Sequence, residues 1–247
     1  MAMQAQLTYR LGSLGFLLGK FIRLLFFFAF VAAIYQHVDR VAGYSLVETA
    51  LFFLTYNFVD MTAQILFRNV YAARRIVNEG EFDFYLVQPC SPLFRMVLST
   101  VDFLDVVTIV PVLIMIGMTF ARLPPLSWGA YAAYAALTVN GVLLIFAVHV
   151  FVAGVAVRTQ ELENAIWVYR DIMFMGRFPV DVYARPVRWA LTFGIPVAVM
   201  TTFPAKALLG TLTPGWALYA VVLTTAALAG SIWFWRGSIA AYTSSSS

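Results

Sequence analysis

Residues 128–157 read W-G-A-Y-A-A-Y-A-A-L-T-V-N-G-V-L-L-I-F-A-V-H-V-F-V-A-G-V-A-V, and no Asp, Glu, Lys or Arg occurs between Arg122 and Arg158. A helix rises about 1.5 Å per residue, so about 20 apolar residues cross a bilayer core. This stretch is long enough to cross with tilt or to project beyond the core. Similar stretches occur at 16–35, 47–67, 101–120 and 216–235. The composition agrees: 62% of the 247 residues are hydrophobic and 11% are charged, where soluble domains carry about a quarter. Phe alone accounts for 22 residues. The bilayer is the solvent that suits such a chain.

The interval 158–210 leaves two readings open. It holds one polar span near 162–178, or one apolar span near 190–208. Either gives six crossings and puts both termini on one side. Lys20 and Arg23 precede the apolar run 24–35. The leader is long and no small-x-small cleavage site follows, so a retained first span is expected, with both cations snorkelling. Ser45-Leu-Val-Glu48 reads as a capping box. Ser91-Pro92 reads as an N-cap and first-turn proline opening one long helix that includes the third span, and Thr213-Pro214 does the same for the last.

Lys and Arg counts orient the chain. One side collects Arg10, Lys20, Arg23, Arg68, Arg74, Arg75, Arg95, Arg158 and Arg236, and the other Arg40 and Arg122. The expectation is a multi-pass protein of the bacterial plasma (inner) membrane with both termini cytoplasmic. No basic cluster is interleaved with aromatics, so nucleic acid is not expected as a partner. Membrane lipid is.

Several chemistries lack their residues. There is no phosphate-binding G-x-x-x-x-G-K-[ST] loop, no HExxH spacing around His37 or His149, and no G-x-S-x-G elbow. The single cysteine, Cys90, excludes an internal disulfide and reads as an ordinary loop residue. No catalytic residue, metal ligand or cofactor of this chain is expected. Asn57, Asp60 and Gln64 share one face of the second span, as a substrate-pathway wall or, more simply, an interhelical hydrogen-bond knot. His149 reads as a bundle-facing, hydrogen-bonded histidine before a proton relay. Asp102 and Asp105 stand one turn apart at the start of the third span, where solvation or pairing with a nearby Arg is expected.

The most polar stretch, 68–95, reads R-N-V-Y-A-A-R-R-I-V-N-E-G-E-F-D-F-Y-L-V-Q-P-C-S-P-L-F-R. Arg74 to Glu79 reads as a short helix closed by Gly80, and Glu81 opens a second that Gln88-Pro89 stops. Its aromatics and carboxylates suit a docking surface on another protein, or an amphipathic connector on lipid headgroups.

The run I-V-N-E-G-E-F-D-F-Y-L-V-Q-P-C-S-P-L-F resembles the signature of bacterial type-2 ABC transporter permeases. The later R-F-P-V-D-V-Y-A-R-P-V-R-W-A-L-T-F-G-I-P-V-A, then P-A-K-A-L-L-G, resembles their second landmark, and A-Y-T-S resembles their ending. Phe82 departs from a usual Leu, and Gln88 from a common basic residue.

The resemblance implies one all-α permease domain over 1–247, of six spans. It implies a cytoplasmic coupling helix between spans two and three and a re-entrant hairpin over 178–210, entered from outside, before span six. Arg74, Arg75, Glu79, Gly80, Glu81, Phe82, Asp83, Phe84, Tyr85 and Pro89 would contact a separate ATPase subunit. Phe82, Phe84 and Tyr85 would be its apolar anchor. Two ATPase copies carrying ATP and Mg, and a second permease, identical or paralogous, complete the implied assembly. Rival readings are an ion- or proton-coupled secondary transporter using Asp60 and His149, and an intramembrane lipid-modifying enzyme. The first lacks visible repeats and the second a convergent His/Asp/Ser set.

Overall fold

Apolar length and end signals set where each helix starts and stops. In the computed structural model, which describes residues 10–101, 103–159 and 165–243, the chain is all-α, with no strand among the described residues. Helix α1 (Arg10–Tyr35) is the first span. Helix α2 (Leu46–Phe67) opens on the expected capping box: the Ser45 amide donates to Glu48 Oε2 at 2.7 Å, and the Glu48 amide to Ser45 Oγ at 3.4 Å. A 3₁₀ turn (Arg68–Ala72) then leads to α3 (Ala73–Asn78) and α4 (Glu81–Val87). Ser91 caps α5 (Pro92–Leu98) through the Phe94 amide at 3.5 Å.

The third span does not continue from α5 as one long helix. The helix ends at Leu98, and α6 (Phe103–Arg122) starts anew. Asp102 lies outside the described residues. Helix α7 (Trp128–Thr159) is the 128–157 stretch with one further residue pair, and α11 (Pro214–Ala240) is the last span. Thr213 precedes α11 with an extended backbone but makes no side-chain cap bond, so Pro214 carries that start. Among the described residues, five helices are long and apolar enough to cross a membrane.

Packing resolves the 158–210 interval. Helices α7 and α11 lie side by side in a constant register. Asn140 Nδ2 donates to the Ala220 carbonyl at 3.4 Å, and Gly154 abuts Phe234. The two therefore run in the same direction, so the chain between them crosses an odd number of times. The polar segment makes that crossing. Helix α8 (Ala165–Met173) continues through 3₁₀ turns to Val182. At one end, Trp167 packs edge-on to Tyr71, at the far end of α2. At the other, Asp181 accepts from Tyr44 Oη at 2.9 Å, beside the start of α2. The start of the polar span expected at Leu162 lies outside the described residues.

The apolar remainder turns back on itself. Helix α9 (Arg185–Trp189) and its π-helical extension to Gly194 meet the second arm, Ala198 to Leu208, at a bend of 85°. The second arm ends in α10 (Phe203–Leu208). Pro196 interrupts the ladder at the bend because it has no N–H to donate. Arg188 Nη1 lies 3.7 Å from Asp181 Oδ1, and Lys206 Nζ lies 2.6 Å from Asp181 Oδ2. One carboxylate thus holds both arms, and the hairpin returns to the side it left. Its tip is buried: Val197, Ala198, Val199 and Met200 are each 0% exposed. Gly141 of α7 makes that approach possible, since a Cβ there would meet the Met200 carbonyl oxygen at 2.4 Å.

Candidate functional site

A charge in the hydrocarbon core costs about 3 kcal/mol on insertion scales, so each such group must face protein or water. Asp60 accepts from Gln64 Nε2 at 2.7 Å, and Gln64 Oε1 accepts from Arg170 Nη2 of α8 at 3.2 Å. The expected stripe is thereby tied to the polar span. Asn57 turns back on its own helix, donating to the Phe53 carbonyl at 2.8 Å, and borders a water-sized cavity of about 20 Å³ with Lys20, Thr108 and Arg177. Asp105 is fully buried and forms an ion pair with Lys20. Two expectations change here: Lys20 turns inward rather than snorkelling, and the partner of Asp105 is Lys20 rather than an arginine. The lysine stem reaches an interior carboxylate more cheaply than both groups stay unpaired.

His149 stays apart from this cluster. Its Nδ1 lies 2.8 Å from the Ile145 carbonyl, and Phe67, Tyr71 and Tyr169 surround the ring. That is the hydrogen-bonded core histidine expected from its place in α7, and it makes no hydrogen bond to Asp60. The residues missed in the sequence are Arg170, Arg177 and Asp181. The signal was present, since charged residues in a membrane-depth segment mark functional positions. Among the described residues, no group of three His, Cys, Asp or Glu could hold a metal ion.

The connector carries the second cluster, at the pole where α11 ends. Gly80 has φ of 75°, the left-handed conformation expected of a residue closing a helix. Arg75 Nη1 spans the turn, reaching Glu79 Oε2 at 2.8 Å and Glu81 Oε1 at 2.9 Å. Glu81 and Asp83 lie in the first turn of α4, at its positive dipole end. Gln88 is extended ahead of Pro89 and stops α4.

Its aromatics divide. Phe84 is 67% exposed and Val87 80% exposed. Phe82, expected among the outward anchors, is 0% exposed. Its ring packs edge-on against Tyr242 at 5.1 Å and Trp235 at 6.1 Å. Alternation around a helix forces this, since successive residues cannot all face outward. Tyr85 is half-buried with the Arg95 guanidinium 4.5 Å over its ring. At the opposite pole, burial and then the Asp181 carboxylate push the Tyr44 hydroxyl above the usual tyrosine range, so it remains a donor.

The chain thus has membrane-spanning helices, a connector with an outward apolar edge, and a buried polar cluster, without an assembled set of catalytic groups among the described residues. Comparison with curated proteins and with solved structures gives no match. A family model described as ABC-2 family transporter protein matches residues 21–246, which takes in the first span from Phe21 onward, the later spans, the connector and the hairpin. The chain belongs to the ABC-2 family of transporter proteins.

Proposed function

We propose that this chain is the transmembrane subunit of an exporter of the bacterial plasma membrane, driven by ATP hydrolysed on a separate subunit. The chain has no phosphate loop of its own, so ATP and Mg belong to the partner. Two ATPase copies and a second permease, identical or paralogous, form the working assembly. The excess of Arg and Lys at the connector's pole supports a cytoplasmic position for that pole and both termini. The hairpin then enters from outside.

The observation that carries this reading is the two-sided build of α4. Phe84 and Val87 project outward while Phe82 is locked on Trp235 and Tyr242. A partner that moves α4 pulls directly on the last span. Glu81 and Asp83 offer carboxylates to basic residues of that partner, and exposed aromatics anchor such contacts. The force reaches the bundle through a packed core, which shifts between discrete arrangements rather than deforming smoothly.

A photoreactive amino acid at position 84, in the assembled complex, tests this. The expected product is an adduct with the ATPase subunit. Adducts with lipid alone, together with normal coupling in a Phe84→Ala variant, would overturn the docking role.

A further inference from the structure

A cleft of about 710 Å³ lies between α1 and the segment from Phe174 to Tyr183. That volume suits a drug-sized molecule. Its walls are aromatic, with Phe26, Phe27, Phe30, Phe174 and Phe178 facing it. Phe27 stacks on Phe53 with centroids 3.6 Å apart and lies 5.2 Å from Phe178, so this wall is rooted in the core.

Two cations open onto this apolar space, Arg23 and Arg177. Arg23 lies about 18 Å along α1 from Tyr35 at the outer pole, well inside the bilayer. Arg177 sits over the Phe174 ring at 4.0 Å and near the Tyr56 ring at 5.9 Å, and its Nε is buried without a hydrogen-bond partner. Among the described residues, no carboxylate lies within ion-pair distance of either arginine. Asp105 is engaged by Lys20 and Asp60 by Gln64, with Arg170 bound to that same Gln64; Arg23 acts on Asp60 only at longer range, and Arg177 is hydrogen-bonded to the neutral Tyr56 side chain. Asp171 is exposed on α8 one turn before Phe174, at the edge of the same face. Among the described residues, Lys20, Arg23, Arg170 and Arg177 outnumber the interior carboxylates Asp60 and Asp105.

Guanidinium groups without an ion-pair partner at contact distance, lining an apolar cleft, suit an anion that brings its own apolar body. We infer that this cleft binds the transported molecule, and that this molecule is an amphiphile whose acidic group sits between Arg23 and Arg177 while its apolar part lies among the phenylalanines. The inference rests on the exporter reading and names its substrate class.

Binding can be measured without ATP or any ATPase, so its outcome is separate from that of the exporter reading, which fails if no ATPase subunit assembles with the chain. The full chain in phosphatidylcholine nanodiscs is titrated with 11-(dansylamino)undecanoic acid and, in parallel, with its methyl ester, over empty nanodiscs. The acid is expected to bind saturably and at least tenfold more tightly than the ester. An R23Q/R177Q variant should lose at least tenfold in affinity for the acid and keep that for the ester. Arg122→Gln, at a different apolar cleft, should change neither.

Equal binding of acid and ester by the unaltered chain would overturn the proposal, whatever the folding of the variant. So would unchanged acid binding in R23Q/R177Q. Displacement of the acid by phosphatidylglycerol added to the nanodiscs would make the cleft a lipid site instead. Loss of a dimer in R23Q/R177Q with unchanged acid affinity would assign the cleft to a second copy, through pairing with Asp171.

Discussion

Gly80 shows how one residue's backbone sets a surface. Its φ of 75° reverses the chain between α3 and α4, and a β-branched residue there costs about 1–2 kcal/mol. Gly80→Val should still insert, but transport should fall while ATP hydrolysis by the complex continues; equal loss of both would contradict the coupling role. The Arg75 pairs across the turn are about half exposed, and exposed pairs contribute at most about 1 kcal/mol. Phe82 is different, because it fills a closed space between α4 and α11. Phe82→Ala should lower stability by about 3–5 kcal/mol, read as a large drop in the thermal unfolding midpoint of the purified protein. A drop no larger than that of exposed Phe84→Ala would refute the packing role. Asp60 is held through Gln64 to Arg170. Asp60→Leu removes the acceptor and should disturb transport or assembly more than Asp60→Asn, which keeps a hydrogen-bonding group. Equal, unaltered activity in both variants would show that the stripe is dispensable.

Among the elements, the hairpin depends most on a single side chain. Asp181 takes Tyr44, Arg188 and Lys206 together, so Asp181→Ala releases the second arm at Lys206, while Arg188 keeps its bonds to the backbone carbonyls of residue 181 and Tyr183. The expected result is faster proteolysis between Arg185 and Leu208 with the α7–α11 pair intact. Orientation is read at the neighbouring Val182, which is 41% exposed. In a Cys90→Ser background, Val182→Cys should react with a membrane-impermeant thiol reagent added outside intact cells. Reaction only after the cytoplasm is opened would reverse the topology. Cys90 itself is exposed, which is why it must be removed first.

At the scale of the whole molecule, the two poles do different work. One pole is closed by the Tyr44–Asp181–Lys206 contacts, and the other presents α4 with Tyr242 packed behind it. On the proposed reading, the energy comes from a separate subunit. The purified chain should show no saturable ATP hydrolysis, while its complex with the ATPase should. Saturable hydrolysis by contaminant-free chain, absent from no preparation and lost on no further purification, would refute the division of labour.

Apolar length and local capping are short-range properties, so the sequence alone determined the five long helices, the Ser45 and Ser91 caps, the Gly80 reversal and the polar stripe on α2. The two-motif resemblance added the family and the hairpin. Tertiary structure decided what depends on neighbours distant in the chain. Residues 158–210 offered two possible spans of similar length, and only the parallel register of α7 and α11, with both hairpin arms on Asp181, shows that the polar one crosses. Phe82 could not be told from Phe84 by residue type, because the buried face of a seven-residue helix is chosen by what packs against it, here Trp235 and Tyr242. Lys20 likewise turned inward because Asp105, far along the chain, was within its reach. A charge in a low-dielectric interior takes whichever partner folding brings to it.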